Sequence, residues 1–353
     1  MDERVRLAPA RREGWPAVAR VPSSARAHEL ADGLWCLRLP LPYASPAFVN
    51  CYLVALAEGW WLIDCGSDVG SGARGLEHAL RLANVALPDI RLLLCTHSHT
   101  DHAGLASFVI EHSGARYLRG RGADAATDVL RDPSIALEDR RRTGRRAGIP
   151  DQDLDGWVDN LLAGDCAHPR PAADAIVDDG DRIESAVGDW EVIAASGHSP
   201  SQVVLHNARH AWLVTADLAF PAVGPYLECG WTDDPYADHL AAVARCEQLP
   251  VAMALPGHGR ADQAPAGRLR DARVLAERFA AQVLDALGSR WRSPYEIALT
   301  MLDAGADTDT CQAALSTIIS VLEHYEGVGT LASCSDGAGV RRFADGAQVA
   351  VAG

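Results

Sequence analysis

The sequence predicts a layered α/β domain followed by a smaller helical unit. Short apolar runs that are typical of strands alternate with segments of helical spacing from about residue 28 to residue 285. Two helices and a hairpin are predicted after Gly288. Alternation of this kind is characteristic of helices covering the faces of a sheet. We therefore divide the chain into an arm without clear periodicity (1–27), a main domain (28–287) and a C-terminal unit (288–353).

The predicted elements of the main domain follow in chain order. Three apolar runs separated by turn residues indicate a meander of strands, namely GLWCLRLPL, FVNCYLVAL and GWWLIDCG. A helix (GARGLEHALRLANV), a strand that reads as covered on both faces (IRLLLCTH), a second helix (LASFVIEHSG) and a strand (ARYLRG) come next. A charged, helix-like insertion is predicted over about 121–174. Strands return as DRIES, WEVIAAS, SQVVLHN and HAWLVTAD, followed by a helix near 237–248 and the strand VAMALPGH.

The C-terminal unit has a strong helix-start signal. Ser293 is a good N-cap, Pro294 suits the first turn, and Glu296 completes a capping box. A second helix (TCQAALSTIISVLEHYEG) and a hairpin around DGAG follow, an order that resembles a winged-helix module. Four arginines and eight carboxylates give the unit a net charge of −4. Because phosphate contacts from such a unit would be weak, we favour a packing or dimer-forming cap over a nucleic-acid reader.

Charge and composition exclude several functions. All 32 basic residues are arginine, which excludes a Schiff-base lysine and a lysine-containing phosphate loop. The formal net charge of −15 argues against a nucleic-acid coat. Neither a signal-like apolar run nor a membrane span is evident, so we predict a cytoplasmic protein with no membrane partner.

The segment CTHSHTDHAG contains the strongest candidates for functional residues. Residues two apart point the same way in extended chain, so His97 and His99 can converge on one point at the end of a strand. Asp101 and His102 follow where the chain must turn, and they can serve a second point nearby. Four potential ligands within six residues predict a metal site.

This segment matches the H-x-H-x-D-H signature of the metallo-β-lactamase superfamily, and the chain resembles that family over roughly residues 28–285. The resemblance implies an αββα sandwich. It also implies three further ligands, each at the end of a strand-like run: His198 in SGHSPS, Asp217 in LVTADLAF and His258 in LPGHGR. Asp64, in WWLIDCG, is expected to orient the ligand loop rather than to bind metal.

The resemblance divides the ligands between two metals that Asp217 bridges. One metal is assigned to His97, His99 and His198, and the other to Asp101, His102 and His258. Nitrogen and oxygen ligands suit two Zn²⁺ ions, although Fe or Mn would also fit. The implied reaction is hydrolysis, in which a hydroxide that bridges the metals attacks an electrophilic centre and Asp101 orients it or accepts its proton.

Several branches of the family are disfavoured. The classical cysteine-ligand β-lactamases carry cysteine at the position of Asp217, and flavodiiron relatives carry glutamate at the position of His99. The winged-helix-like tail resembles a group that contains thioester hydrolases. We expect a hydrolase of small-molecule or carrier-bound acyl thioesters, with lactones or other esters next. The alternatives are a phosphodiesterase or single-strand RNA endonuclease, and a non-enzymatic binding protein.

Two features concern the surroundings of the metals. Relatives have a glycine shortly after the GH[ST] motif, whereas Ser201 and Gln202 stand here, so we expect an altered loop beside His198. Within the insertion, Arg141, Arg142 and Arg145 are weak candidates for binding an anionic substrate; a solvated helix face is the simpler interpretation.

Overall fold

The computed structural model describes residues 25–42, 46–122, 133–156, 171–219, 225–260, 265–302 and 308–347. Within them two β-sheets pack face to face, with helices on both outer faces. The predicted α/β class and the αββα sandwich are confirmed. Most of the expected arm (1–24) and two parts of the insertion (123–132 and 157–170) lie outside the described residues.

The first sheet has seven strands in chain order. They are β1 (Arg26–Ala31), β2 (Leu34–Pro40), β3 (Phe48–Ala55), β4 (Trp60–Ile63), β5 (Ile90–Cys95), β6 (Arg116–Gly120) and β7 (Ala175–Val177). Strands β2 to β4 form the predicted meander, β1 adds a further antiparallel strand beside β2, and β4 to β7 are parallel. Strand β1 begins inside the expected arm, and the three-residue β7 has no sequence signal of its own. Because β4 and β5 are parallel, the segments after them emerge at the same edge.

The second sheet has five strands in the order β12-β11-β10-β9-β8. They are β8 (Arg182–Ile183), β9 (Trp190–Ala194), β10 (Val203–Asn207), β11 (Trp212–Ala216) and β12 (Met253–Pro256). Only β11 and β12 run parallel, and the other neighbours are antiparallel. The segments after β11 and β12 therefore also share one edge.

The described helices lie on the outer faces of the two sheets and in the C-terminal unit. Those of the first half are α1 (Gly72–Leu82), α2 (Thr100–Ala103), α3 (Ala106–Ser113) and α4 (Pro133–Ala147). Those of the second half are α5 (Pro235–Glu247), α6 (Pro265–Leu287), α7 (Pro294–Met301) and α8 (Thr308–Gly327). None of the helices in the described ranges combines the length and apolar character needed to cross a bilayer.

The central core lies between the sheets. Trp61 of β4 and Trp190 of β9 are fully buried and meet edge to face, with ring centroids 5.9 Å apart. Tyr52 of β3 donates its hydroxyl to the carbonyl of Pro256 at the end of β12, at 2.7 Å. Asn50 donates to the same carbonyl through Nδ2 at 2.9 Å, and its backbone N–H donates to the carbonyl of Gly257 at 2.7 Å. These contacts fix the end of β12 against the first sheet.

The C-terminal unit has the predicted helices and hairpin. The capping box forms: Ser293 Oγ accepts from the Glu296 N–H at 3.2 Å, and Glu296 Oε2 accepts from the Ser293 N–H at 2.8 Å. The hairpin pairs β13 (Leu331–Ser335) with β14 (Arg341–Asp345), and Arg292 bridges to Phe343 beside it. The likeness to a winged helix stays a prediction.

Helix α6 belongs to two apolar clusters. Leu269 and Ala272 pack in the cluster beneath the second sheet, whereas Phe279 and Val283 pack in the cluster of the C-terminal unit. The main domain and the C-terminal unit therefore share one continuous helix.

Candidate metal centre

The residues predicted as metal ligands come together at one edge of the sandwich. His97 and His99 follow β5, and Asp101 and His102 lie in the short helix α2. The remaining ligands follow strands of the second sheet, namely His198 after β9, Asp217 after β11 and His258 after β12. Parallel strands end at the same edge, which explains why segments far apart in sequence meet here.

The first cluster consists of three histidines. His97 Nε2 lies 3.1 Å from His99 Nδ1, and His198 Nε2 lies 3.0 Å from the same atom. His97 and His198 are buried, and His99 is partly exposed. Three ring nitrogens facing one point form a geometry that can hold a metal ion.

The second cluster consists of Asp101, His102 and His258. Asp101 Oδ2 lies 3.2 Å from His258 Nε2 and 3.8 Å from His102 Nε2. Asp217 lies between the clusters, since its Oδ1 is 3.5 Å from His102 Nε2 and its Oδ2 is 3.3 Å from His258 Nε2 and 3.5 Å from His198 Nε2. This carboxylate is therefore placed to contact two ions.

The outward nitrogen of every clustered histidine contacts an oxygen. The pairs are His97 Nδ1 with Thr96 Oγ1 (3.1 Å), His99 Nε2 with Glu228 Oε1 (3.0 Å), His102 Nδ1 with Asp64 Oδ2 (2.8 Å), His198 Nδ1 with the Tyr226 carbonyl (3.1 Å) and His258 Nδ1 with the Phe48 carbonyl (2.7 Å). Oxygen acceptors select the tautomer that carries the proton outward. In the neutral form of each ring the inward nitrogen then keeps its lone pair, as a metal ligand requires.

Three observations test whether divalent metals fit. The lone pairs of the first cluster face one another at about 3 Å, which is repulsive without a cation. In the described part of the chain, His102 Nε2 and Asp217 Oδ1 are buried and make no hydrogen bond. A Cβ on Gly257 would lie 2.2 Å from Asp217 Oδ1 and 2.7 Å from His102 Cε1, so a side chain there would push into the centre. The donors thus fit two cations.

The charges of the two clusters differ in the protein without metal. Burial and, to a lesser degree, the neighbouring His99 together lower the pKa of His198 to about 3. Burial also opposes protonation of His258, but Asp217 and Asp101 outweigh burial and raise its pKa to about 10. Burial also holds the pKa of His97 well below its usual range. His97 and His198 are therefore neutral at pH 7, whereas His258 holds a proton that a metal must displace.

Asp64 has the orienting position expected of it. Its Oδ1 accepts from the Thr96 N–H at 2.7 Å, and its Oδ2 accepts from Thr96 Oγ1 at 2.9 Å as well as from His102. Its φ of 59° lies in the left-handed region, as does the φ of 45° at Ala216 just before Asp217. Such backbone strain is often found where a site fixes its side chains.

Gln202, next to the position where relatives carry a glycine, connects the loop after His198 to Asp217. Its buried amide donates to the Ala195 carbonyl at 3.0 Å and accepts from the Asp217 N–H at 3.2 Å. The side chain thus fixes the turn that carries the bridging carboxylate. No motif in the sequence gives a local signal for this role, nor for that of Glu228, which is 129 residues from His99.

The three arginine candidates lie on α4 in exposed ion pairs. Arg141 pairs with Asp155 at 2.8 Å, and Arg142 pairs with Asp139 at 2.9 Å. Arg145 lies 3.7 Å from Asp151. None of the contacts described for these arginines joins them to the clustered ligands, and their role in substrate binding stays a prediction.

Comparisons with known proteins agree with this fold. The model of a family described as the metallo-beta-lactamase superfamily matches residues 44–258. The chain therefore belongs to the metallo-beta-lactamase superfamily. It is 27% identical over 240 residues to the "Probable metallo-hydrolase YqjP" of Bacillus subtilis (strain 168), a match that covers 63% of this chain and 70% of that protein.

Two solved structures are similar over nearly the whole chain. The metallo-beta-lactamase family protein TTHA1429 of Thermus thermophilus is 22% identical with a TM-score of 0.77, covering 90% of this chain and 100% of that one. A beta-lactamase domain protein of Burkholderia ambifaria is 22% identical with a TM-score of 0.78, covering 94% and 97%. At this identity the likeness shows the fold alone.

Proposed function

We propose that this protein is a dinuclear zinc-dependent hydrolase of acyl bonds, acting first on thioesters. The observation that carries the proposal is the position of Asp217 between two clusters of inward-facing ligands. His97, His99 and His198 would hold one metal, and Asp101, His102 and His258 the other. The donor set of nitrogen and carboxylate oxygen favours Zn²⁺, with Fe or Mn as alternatives.

When bound at these residues, two metals would lower the pKa of a bound water toward about 7 and would polarise the substrate oxygen. The protein's own residues would orient the ligands of these metals. The Asp64–His102 and Glu228–His99 contacts orient the rings, and Gln202 fixes the turn of Asp217. Fixed ligands need no reorganisation as charge develops on the substrate.

Asp101 is the residue proposed to orient the attacking water and to accept its proton. Burial raises the pKa of its carboxyl, but His102 and His258 outweigh burial and hold the pKa well below its usual range. The carboxylate is therefore ionised at neutral pH, and its side chain is partly exposed. It can orient an attacking water and accept its proton.

An acyl substrate is supported by the surface charge and by Tyr226. The net charge of −15 disfavours a polyanion such as RNA. Tyr226 is 36% exposed, and the centroid of its ring lies 5.9 Å from that of His99 and 5.7 Å from that of His198. It offers an apolar wall beside the first cluster on which an acyl chain can lie.

The test is thiol release from a panel of acyl-coenzyme A and acyl-carrier thioesters. Enzyme loaded with zinc and enzyme stripped by a chelator are compared, with lactones and single-stranded RNA as further substrates. We expect metal-dependent thiol release that is lost in Asp217→Ala, together with bound metal. Metal-dependent cleavage of RNA with no release from any thioester or ester would overturn the proposed substrate class.

A further inference from the structure

We infer that the C-terminal unit builds part of the first metal site, because helix α8 holds the segment that orients two of its histidines. This segment, residues 225–229, is called the clamp segment. The inference rests on the proposed metal binding but not on the identity of the substrate. It gives the C-terminal unit a positioning role that sequence motifs do not indicate.

The clamp segment contacts two ligands of the first cluster from outside. Glu228 Oε1 accepts from His99 Nε2 at 3.0 Å, and the two side chains are 18% and 15% exposed. The Tyr226 carbonyl accepts from His198 Nδ1 at 3.1 Å. The N–H of Glu228 donates to the Gly197 carbonyl at 3.0 Å, next to His198 in the chain. The segment therefore fixes both the carboxylate and the carbonyl that face the rings.

Two hydroxyls of α8 hold the clamp segment in turn. Thr317 Oγ1 accepts from the Leu227 N–H and donates to the Pro225 carbonyl, both at 3.1 Å. Ser316 Oγ accepts from the Cys229 N–H at 2.9 Å and donates to the Leu227 carbonyl at 2.6 Å. Both hydroxyls thus act as donor and as acceptor toward the same five residues.

Packing alone does not account for this arrangement. Leu227 is fully buried in the apolar cluster of the C-terminal unit, so its side chain anchors the segment there. The four polar contacts then set where Glu228 and the Tyr226 carbonyl point. Carboxylates and carbonyls behind metal-bound histidines typically change metal affinity about 10–100-fold when removed.

The second cluster is oriented by different residues. His102 contacts Asp64 just after β4, and His258 contacts the Phe48 carbonyl at the start of β3. Neither contact involves the C-terminal unit. Damage to the clamp segment should therefore weaken one metal site and spare the other, which a general loss of folding would not do.

The experiment measures two zinc affinities by competition with a chromophoric chelator. His99→Ala first identifies the binding step that belongs to the first cluster. We expect Glu228→Ala, and the double variant Ser316→Ala/Thr317→Val, to weaken that step about 10–100-fold and leave the other step within about twofold. Glu228→Gln should recover most of the affinity, because its amide oxygen can still accept from His99.

Ser320→Ala is the matched control. Its hydroxyl lies on the same helix and donates to the Ser316 carbonyl at 2.9 Å, not to the clamp segment. We expect both affinities to stay at the wild-type value. Unchanged affinities in Glu228→Ala and in the double variant, or an equal fall at both steps, would overturn the inference. Failure of the wild-type chain to bind two metals would instead refute the proposed function itself.

Discussion

Substitution of Asp64 by Asn tests whether the contact that orients His102 is needed for metal binding, while His102 itself stays in place. Asn has nearly the shape of Asp and tolerates the left-handed φ of 59°, so the backbone should stay in place. Its Oδ1 can still accept from the Thr96 N–H. An amide group, however, replaces Oδ2, which accepts from Thr96 Oγ1 at 2.9 Å and from His102 Nδ1 at 2.8 Å. The Thr96 hydroxyl and the His102 Nδ1–H, both hydrogen-bond donors, then face the NH2 group of the new Asn, which is also a donor, in a buried site.

The expected magnitude follows from those two lost contacts. A buried hydrogen-bonding group left without its partner costs about 1–3 kcal/mol, so the free energy of unfolding should fall by about 2–6 kcal/mol. His102 can relieve the clash by moving its proton from Nδ1 to Nε2. That tautomer has no lone pair for the metal, and we expect the affinity of the second cluster to fall about 10–100-fold.

Zinc competition and urea unfolding measure the two effects. Asp174→Asn is the control: Asp174 Oδ2 accepts from the Tyr117 N–H at 2.8 Å in the same sheet, and it contacts none of the clustered ligands in the described residues. We expect its metal affinities to match the wild type. Two zinc ions bound by Asp64→Asn at wild-type affinity would refute the orienting role of Asp64.

Three further predictions concern the centre and the core. Gly257→Ala places a methyl group 2.2 Å from Asp217 Oδ1, so both zinc affinities should fall at least about tenfold. The control Gly156→Ala, whose added Cβ has no neighbouring atom within 4 Å, should leave both affinities unchanged. Equal zinc affinities in the two variants would contradict this prediction. In metal-free protein, burial opposes protonation of His258, but the two adjacent carboxylates raise its pKa from 6.5 to about 10. The resulting stability is fully present below about pH 6.5 and is lost as pH rises to about 10, so the melting temperature should fall over this window, and a rise would count against the assignment. Trp190→Ala should lower the free energy of unfolding by about 3–5 kcal/mol in urea, because the ring is fully buried between the sheets; a loss below about 1 kcal/mol would disagree with the packing.

The sequence predicts the ligands well because their spacing is local. His97 and His99 are two apart after an apolar strand, and the geometry of extended chain brings their rings together. The resemblance to a family supplies His198, whose environment contains no such cluster. The sheets were predictable for a similar reason, since strands of four to eight residues carry enough apolar pattern to be seen.

Apart from Asp64, the residues that support the ligands could not be predicted from the sequence. Glu228 and Gln202 act through contacts made only after distant segments pack, and neither lies in a pattern that differs from ordinary polar surface. Ser316 and Thr317 lie in a helical run where small polar residues are common. Strand β7, with three residues, is too short for alternation to show.

The shared helix α6 has a consequence for how the molecule comes apart. Its 23 residues span about 35 Å, and its two halves belong to different apolar clusters. Because the helix is continuous, unfolding of one half destabilises the other half and the apolar cluster in which it packs, so heat should unfold both clusters in a single cooperative transition. For the same reason the C-terminal unit is not an independently removable domain, because truncation before it would expose Phe279 and Val283 to water.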